Sequence, residues 1–301
     1  MMGPSRPVVS EANLRLRIEA CPKLASLRSI HSALAILLRN YHTQAGKFAE
    51  VIARDPSLTA RLMRMVNSVY FGLGTRVGTI QDAVLYIGLR QVRSLAFATP
   101  ILEDMRGMRT EGPLISWRTF SLHTLACAIA TREILNYSEM GIDDDTDYIA
   151  GLLQNVGKVV IAKSFPDEFA QITEHVYENE AQVLAHERAL LGWDHAAIGA
   201  YYLENHKIPA EIVEAVRYHH DPLKAPVRKH LAAATHLADG YARLAGLKGG
   251  VESRPAPTEE AIIADPASAL LWGEDREVRI AQMRVLTEEM RRLPELVNAL
   301  I

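Results

Sequence analysis

The chain has 301 residues and a mass of 33.4 kDa, enough for two modest domains or one large one with a buried core. Hydrophobic residues make up 49% and charged residues 23%, which excludes wholesale disorder, and a formal charge of −3 argues against a nucleic-acid binder working through a broad basic surface. The longest run without Asp, Glu, Lys or Arg, residues 119–131, is too short to cross a bilayer, which needs about 20 apolar residues.

The opening MMGPSRPVVS holds no apolar core of a secretory signal, and Cys21 and Cys127 are too few for a disulfide framework. A cytoplasmic protein with reduced thiols and no membrane contact is expected. From there the pattern is helical almost throughout. Asp55 can cap a helix that starts at Pro56, whose missing N–H costs nothing there, and Leu58, Leu62, Met65, Val66 and Val69 share one face. Asn67 and Ser68 are expected to close that helix against backbone. Gly72, Gly74 and Gly78 punctuate the connection to a second helix, which Thr79 and Asp82 open as an approximate capping box. Ala83, Gly88 and Val92, with Arg90 and Arg93 nearby, have the wrong spacing for a helix-turn-helix, so no direct nucleic-acid binding is expected. No GxxxxGK[ST] or GxGxxG phosphate loop is present.

Further helices are predicted over residues 116–135, 148–164, 166–179, 181–191, 195–205, 209–219 and 229–245. Residues 108–113 mark a seam between two helical subdomains, 18–107 and 114–245, and Asp143, Asp144 and Asp145 read as a solvated loop. Residues 246–258, with Gly249-Gly250 and two prolines, read as a linker to a C-terminal helical extension, 259–301. On that extension Ile280, Met283, Leu286, Met290 and Leu293 form an apolar stripe expected to pack back on the chain.

Eight of the eleven histidines lie from His175 onward. His219 and His220 are adjacent, and His236 and Asp239 share a helical face. Imidazoles and carboxylates on neighbouring helices are what a metal site in a bundle requires; single structural histidines are the competing reading.

Several phrases carry a family resemblance. DPSLTARLMRMVNSVYFG (55–72) and TIQDAVLYIGLRQVRSLAF (79–97) are similar to the N-terminal half of the HDOD domain, a divergent relative of the HD phosphohydrolases. AGLLQNVGKVVIA (150–162) stands where active HD proteins carry a phrase such as GLLHDIGK. WDHAAIGAYYLENHKIPAEIVEAVRYHHDP (193–222) and HLADGYA (236–242) resemble the family's closing segment and last helix. The resemblance covers residues 18–245 and implies an all-α, HD-like multi-helix bundle.

By that resemblance the four metal ligands of a catalytic HD protein would fall at His123, Gln154, Asn155 and Asp239. Two of them are here neutral amides, poor partners for a divalent transition metal, and hydrolysis in this fold depends on metal-activated water. The resemblance therefore implies a vestigial site with no catalytic residue, no metal and no cofactor. His195, His219, His220 and His236 are candidate remnants of a second metal or ligand site, and Asp221-Pro222-Leu223 after the paired histidines departs from the HD-GYP signature. The implied role is a non-enzymatic signal-transduction output or adaptor module of a bacterial pathway. Its partners would be a sensor kinase, response regulator or transcriptional regulator. A metal-dependent phosphohydrolase with unorthodox ligands and a nucleotide sensor using the former HD cavity stand as alternatives.

Overall fold

The computed structural model describes residues 9–22, 24, 49, 52, 55–68, 71–107, 115–140, 145–249, 251 and 253–292. After α1 (Glu11–Glu19), three helices form an N-terminal group: α2 (Pro56–Val66), α3 (Ile80–Ile87) and α4 (Leu89–Gly107). The central bundle follows as α5 (Trp117–Tyr137), α6 (Thr146–Leu153), α7 (Val156–Ser164), α8 (Pro166–Glu174) and α9 (Glu180–Leu191). It continues through α10 (His195–Asn205), α11 (Ala210–Tyr218), a 3-10 turn (Pro222–Lys224) and α12 (Lys229–Leu244). Three C-terminal helices are α13 (Glu259–Ala264), α14 (Pro266–Trp272) and α15 (Arg276–Arg291). Among the described residues no helix is long and apolar enough to cross a membrane, and one isolated bridge, Val176 to Ser253, is the only extended pairing.

Local chemistry sets these elements. Asp55 Oδ1 accepts the Leu58 N–H at 3.0 Å at the start of α2, and Leu62, Met65 and Val66 are buried; Val69 lies outside the described residues. Asn67 closes the helix: its Nδ2 donates to the carbonyls of Met63 and Val77, and its Oδ1 accepts the Val77 N–H at 2.7 Å. That satisfies three backbone groups and leaves the side chain a structural one.

The N-terminal group meets the bundle through a buried ionic network. Arg132 on α5 donates to Asp145 and Asp147 at 2.7 and 2.8 Å, while Arg93 and Arg90 on α4 reach the same two carboxylates at 2.7 Å each. Asp145 is therefore buried, not part of a solvated loop; Asp143, Asp144 and the seam at 108–113 lie outside the described residues. Arg90 and Arg93, the basic residues of the rejected helix-turn-helix pattern, serve this junction.

Helix α5 runs through the centre, packed on α6 and α12, and α7 packs on α10. The predicted helix 148–164 is two helices, broken at Gln154 and Asn155. The break lets α7 turn onto α10, where Gly157 abuts backbone: a Cβ there would lie 1.9 Å from the His195 carbonyl oxygen. The helix predicted to reach residue 179 stops at Glu174, because His175 turns extended and leads into the bridge with Ser253. In the C-terminal extension Met283, Leu286 and Met290 are buried where α15 meets α5 and α12, and Ile280 is half-buried. Leu293 lies outside the described residues. The stretch read as a linker is no loose tether: Leu247 is buried and Arg254 is inserted into the bundle.

Candidate functional site

His123 and Cys127 lie one turn apart on α5, near its crossing with α6. That crossing depends on Gly151, where a Cβ would come within 2.5 Å of the Cys127 carbonyl oxygen. His123 is fully buried and both its ring nitrogens face oxygen acceptors: Nδ1 the Leu247 carbonyl at 2.8 Å, Nε2 the Asp239 Oδ1 on α12 at 2.9 Å. Since a carbonyl can only accept, Nδ1 is the donor to Leu247, and Nε2 is the nitrogen turned toward the carboxylate. The Cys127 thiol stands 3.5 Å from Nε2, and burial, reinforced by the Asp239 charge, pushes its pKa well above the thiol range. It is not an activated nucleophile.

The other oxygen of Asp239 accepts from Arg243 Nε at 3.0 Å and from Arg254 Nη2 at 2.8 Å. Burial alone would raise the Asp239 pKa, but the guanidinium groups of Arg243 and Arg254, with His123, outweigh it and hold the carboxyl well below its usual range. The same Arg254 Nη2 donates to Glu180 Oε1 at 2.6 Å, at the start of α9. Gln154 faces Cys127, yet neither its amide nitrogen nor its oxygen completes a hydrogen bond, and Asn155 is buried at the α6–α7 break. A divalent ion bound through His123, Gln154, Asn155 and Asp239 does not fit this arrangement. Two of the four positions are amides, and the carboxylate already carries two guanidinium groups.

A second cluster is built differently. Gly192, at φ 82°, ends α9 in the left-handed conformation, and Asp194 caps α10 by accepting the Ala197 N–H at 2.9 Å; this sets His195 in the first turn. Glu187 Oε2 accepts both the backbone N–H and ring Nδ1 of His195 at 2.8 Å. His195 Nε2 faces His220 Nε2 at 2.9 Å, and Glu180 Oε2 stands 3.4 Å behind His220 Nδ1. His219 donates from Nδ1 to the Val216 carbonyl at 2.6 Å, leaving a buried Nε2 with no hydrogen-bond partner. One ring nitrogen from each of the three lies within 4.8 Å of the other two. Burial, then repulsion from His220 and His195, pushes the His219 pKa well below the imidazole range, and burial lowers that of His220, so both rings are neutral. Three imidazoles, each with an oxygen acceptor facing one ring nitrogen, are a donor set suited to a divalent transition metal.

His236 does not join this cluster. Its Nδ1 donates to the His219 carbonyl at 2.8 Å and its Nε2 to Asp265 Oδ2 at 3.0 Å, so both nitrogens are spent on oxygens and the ring clasps the C-terminal segment to α12. Burial would lower its pKa, but Asp265 outweighs that and pushes it up to about 9. A raised folded-state pKa stabilises the fold fully below the ordinary value of 6.5 and loses that effect as pH rises toward 9. Urea midpoints should fall between pH 7 and 9, and His236→Gln should flatten that slope; an equally steep slope in the variant would contradict the assignment.

Family resemblance paired His123 with Asp239 and grouped His195 with His219 and His220. It gave no sign of Glu187, eight residues before His195, nor of Glu180, Arg254 and Asp265, which lie fifteen or more residues from the groups they hold. Arg243 alone left a local sign, one helical turn after Asp239.

Residues 24–222 match the family model of the HDOD domain. In structure the chain is similar to an HDOD domain protein of unknown function from Geobacter sulfurreducens, with a TM-score of 0.78 at 22% identity, over 95% of this chain and 97% of that one. It also resembles a protein from Shewanella amazonensis SB2B provisionally named a phosphohydrolase, with a TM-score of 0.68 at 21% identity and 96% and 98% of the two chains covered. A protein from Marinobacter aquaeolei VT8 provisionally named for signal transduction gives a TM-score of 0.68 at 20% identity, with 94% and 60% covered. A curated protein of uncharacterised function from Treponema pallidum (strain Nichols) is 28% identical over 219 residues, 71% of this chain, and the chain spans 40% of that relative's length. These structural likenesses bear on fold, and the family model covers well over half of the sequence: the chain belongs to the HDOD domain family.

Proposed function

We propose that this protein is a non-catalytic output or adaptor module of a bacterial signalling pathway, acting through protein contacts. One observation carries the reading. The single carboxylate left from the HD ligand set, Asp239, is saturated by Arg243 and Arg254, so the positive charge a metal would bring is supplied by the chain itself. With Gln154 and Asn155 in place of the His-Asp pair, no group here generates a hydroxide nucleophile. The provisional signalling name of the Marinobacter structure agrees with this role, and the phosphohydrolase name of the Shewanella structure agrees with the ancestry. Partners would be a sensor kinase, response regulator or transcriptional regulator, met in the cytoplasm without nucleic acid. Crosslinking and affinity capture from the native cell should recover such a protein; none above a tagged control would remove the adaptor role.

The histidine cluster favours a second reading, a metal-dependent phosphohydrolase with unorthodox ligands. His195, His219 and His220 would hold the ion, which supplies Lewis acidity to a bound phosphoryl oxygen or water. Around it, Glu187 fixes the His195 ring and the Val216 carbonyl fixes His219. Metal analysis of chelator-free protein separates binding from hydrolysis: a bound ion without phosphoester turnover leaves the adaptor reading in place.

A further inference from the structure

Residues 253–257 lie beside the former HD site in the way a bound peptide would. Ser253 and Val176 form a parallel bridge, and the Tyr177 N–H donates to the Ser253 carbonyl at 3.0 Å. The side-chain anchor is Arg254, 6% exposed, whose Nη2 is shared by Glu180 and Asp239. Beyond it Pro255, Ala256 and Pro257 border a cavity of about 300 Å³ that His236 and Asp265 also line. Gly240 on α12 lies under this segment, where a Cβ would meet Ile262 at 3.5 Å and Pro257 at 3.8 Å, ordinary contact distances. Main-chain pairing, a buried charged anchor held between two carboxylates and a proline-stiffened backbone are the elements of extended-peptide recognition.

We propose that the groove between α9 and α12 is a recognition site for an extended segment bearing arginine followed by proline, filled in cis by residues 253–257 until a partner's segment of the same chemistry displaces them. This rests on the reading of the protein as a contact module and names the chemistry its partner presents. The acidic pair selects for a cationic anchor: two carboxylates converge on one guanidinium nitrogen of Arg254. A tethered segment acts at an effective concentration of roughly millimolar order, so a free peptide competes poorly until the anchor is removed.

The test uses the full chain with Arg254→Ala and a fluorescein-labelled peptide, Val-Glu-Ser-Arg-Pro-Ala-Pro-Thr, the sequence of residues 251–258. Fluorescence anisotropy should show the variant binding it at least tenfold more tightly than wild type. Replacing the peptide's arginine by alanine, or adding Glu180→Gln to the variant, should each weaken binding at least tenfold. A variant with the wild-type circular dichroism spectrum that binds neither peptide, or both equally, overturns the proposal. If Arg254→Ala loses its helical spectrum, Glu180→Gln in the otherwise wild-type chain decides. Hydrogen exchange at the Tyr177 amide should then be at least tenfold faster with α5 protection unchanged; unaltered exchange overturns the proposal. Failure of peptide binding leaves the non-catalytic reading standing, whereas phosphoester turnover removes that reading without bearing on the strap.

Discussion

Deleting the chain from Gly249 onward should lower the melting temperature by about 10 °C or more. The removed segment buries Ile262, Ile263, Leu271, Met283, Leu286 and Met290, side chains worth about 1.5–3 kcal/mol each when fully buried. Its ordering cost disappears with it, so the net loss is smaller than that sum. Two terms survive the subtraction. Apolar surface on α5 and α12, now covered by α14 and α15, would face water, and Glu180 would lose Arg254 while Asp239 kept Arg243 and His123. Together these amount to several kcal/mol, a large share of the 5–15 kcal/mol that usually separates folded from unfolded domains. At about 2–4 °C per kcal/mol for a domain of this size, a shift of 10 °C is the expected scale. A truncated protein melting within about 2 °C of the full chain would show that the extension merely rests on the bundle.

Gly157→Ala should be the most damaging single substitution at the site's periphery, costing about 3 kcal/mol or more. Its Cβ would fall 1.9 Å from the His195 carbonyl oxygen and 2.8 Å from the Gly199 nitrogen, both backbone atoms that no rotamer change can move. Overpacking of this kind costs about 1–3 kcal/mol where side chains can yield, and more where helices must separate. Because the displaced residue is His195, the three-histidine cluster should loosen as well. Gly199→Ala offers the internal comparison: its Cβ meets Gly157 at 3.0 Å and the Val156 side chain at 3.2 Å, so a milder loss is expected. Equal melting temperatures for the two variants would contradict the packing described.

Helix existence was legible in the sequence, because periodic faces such as Leu62, Met65 and Val66 on α2 report burial directly. The break at Gln154 and Asn155 was not. Its cause is the contact of Gly157 with a helix some forty residues later, and periodicity within 148–164 carries no trace of that. The candidate site was half legible for the same reason. His123 and Asp239 could be paired through family resemblance, yet Arg254 came from a stretch whose glycines and prolines signal only a linker. Proline also stiffens an extended strap, and composition cannot separate the two uses. His236 shows the converse limit: its register with Asp239 on α12 was correct, while its partner, Asp265, belongs to the C-terminal segment.

On the proposed reading, the ancestral HD site has become a contact device sealed by the protein's own cations. A hydrolysis assay tests it most directly, on repurified wild-type protein with manganese, iron, nickel or magnesium and a panel of cyclic dinucleotides, nucleoside phosphates and a generic phosphodiester. His123→Ala and His195→Ala serve as matched controls. The predicted result is no turnover above either control with any metal. Turnover that co-purifies with the protein and disappears in His123→Ala would contradict the claim.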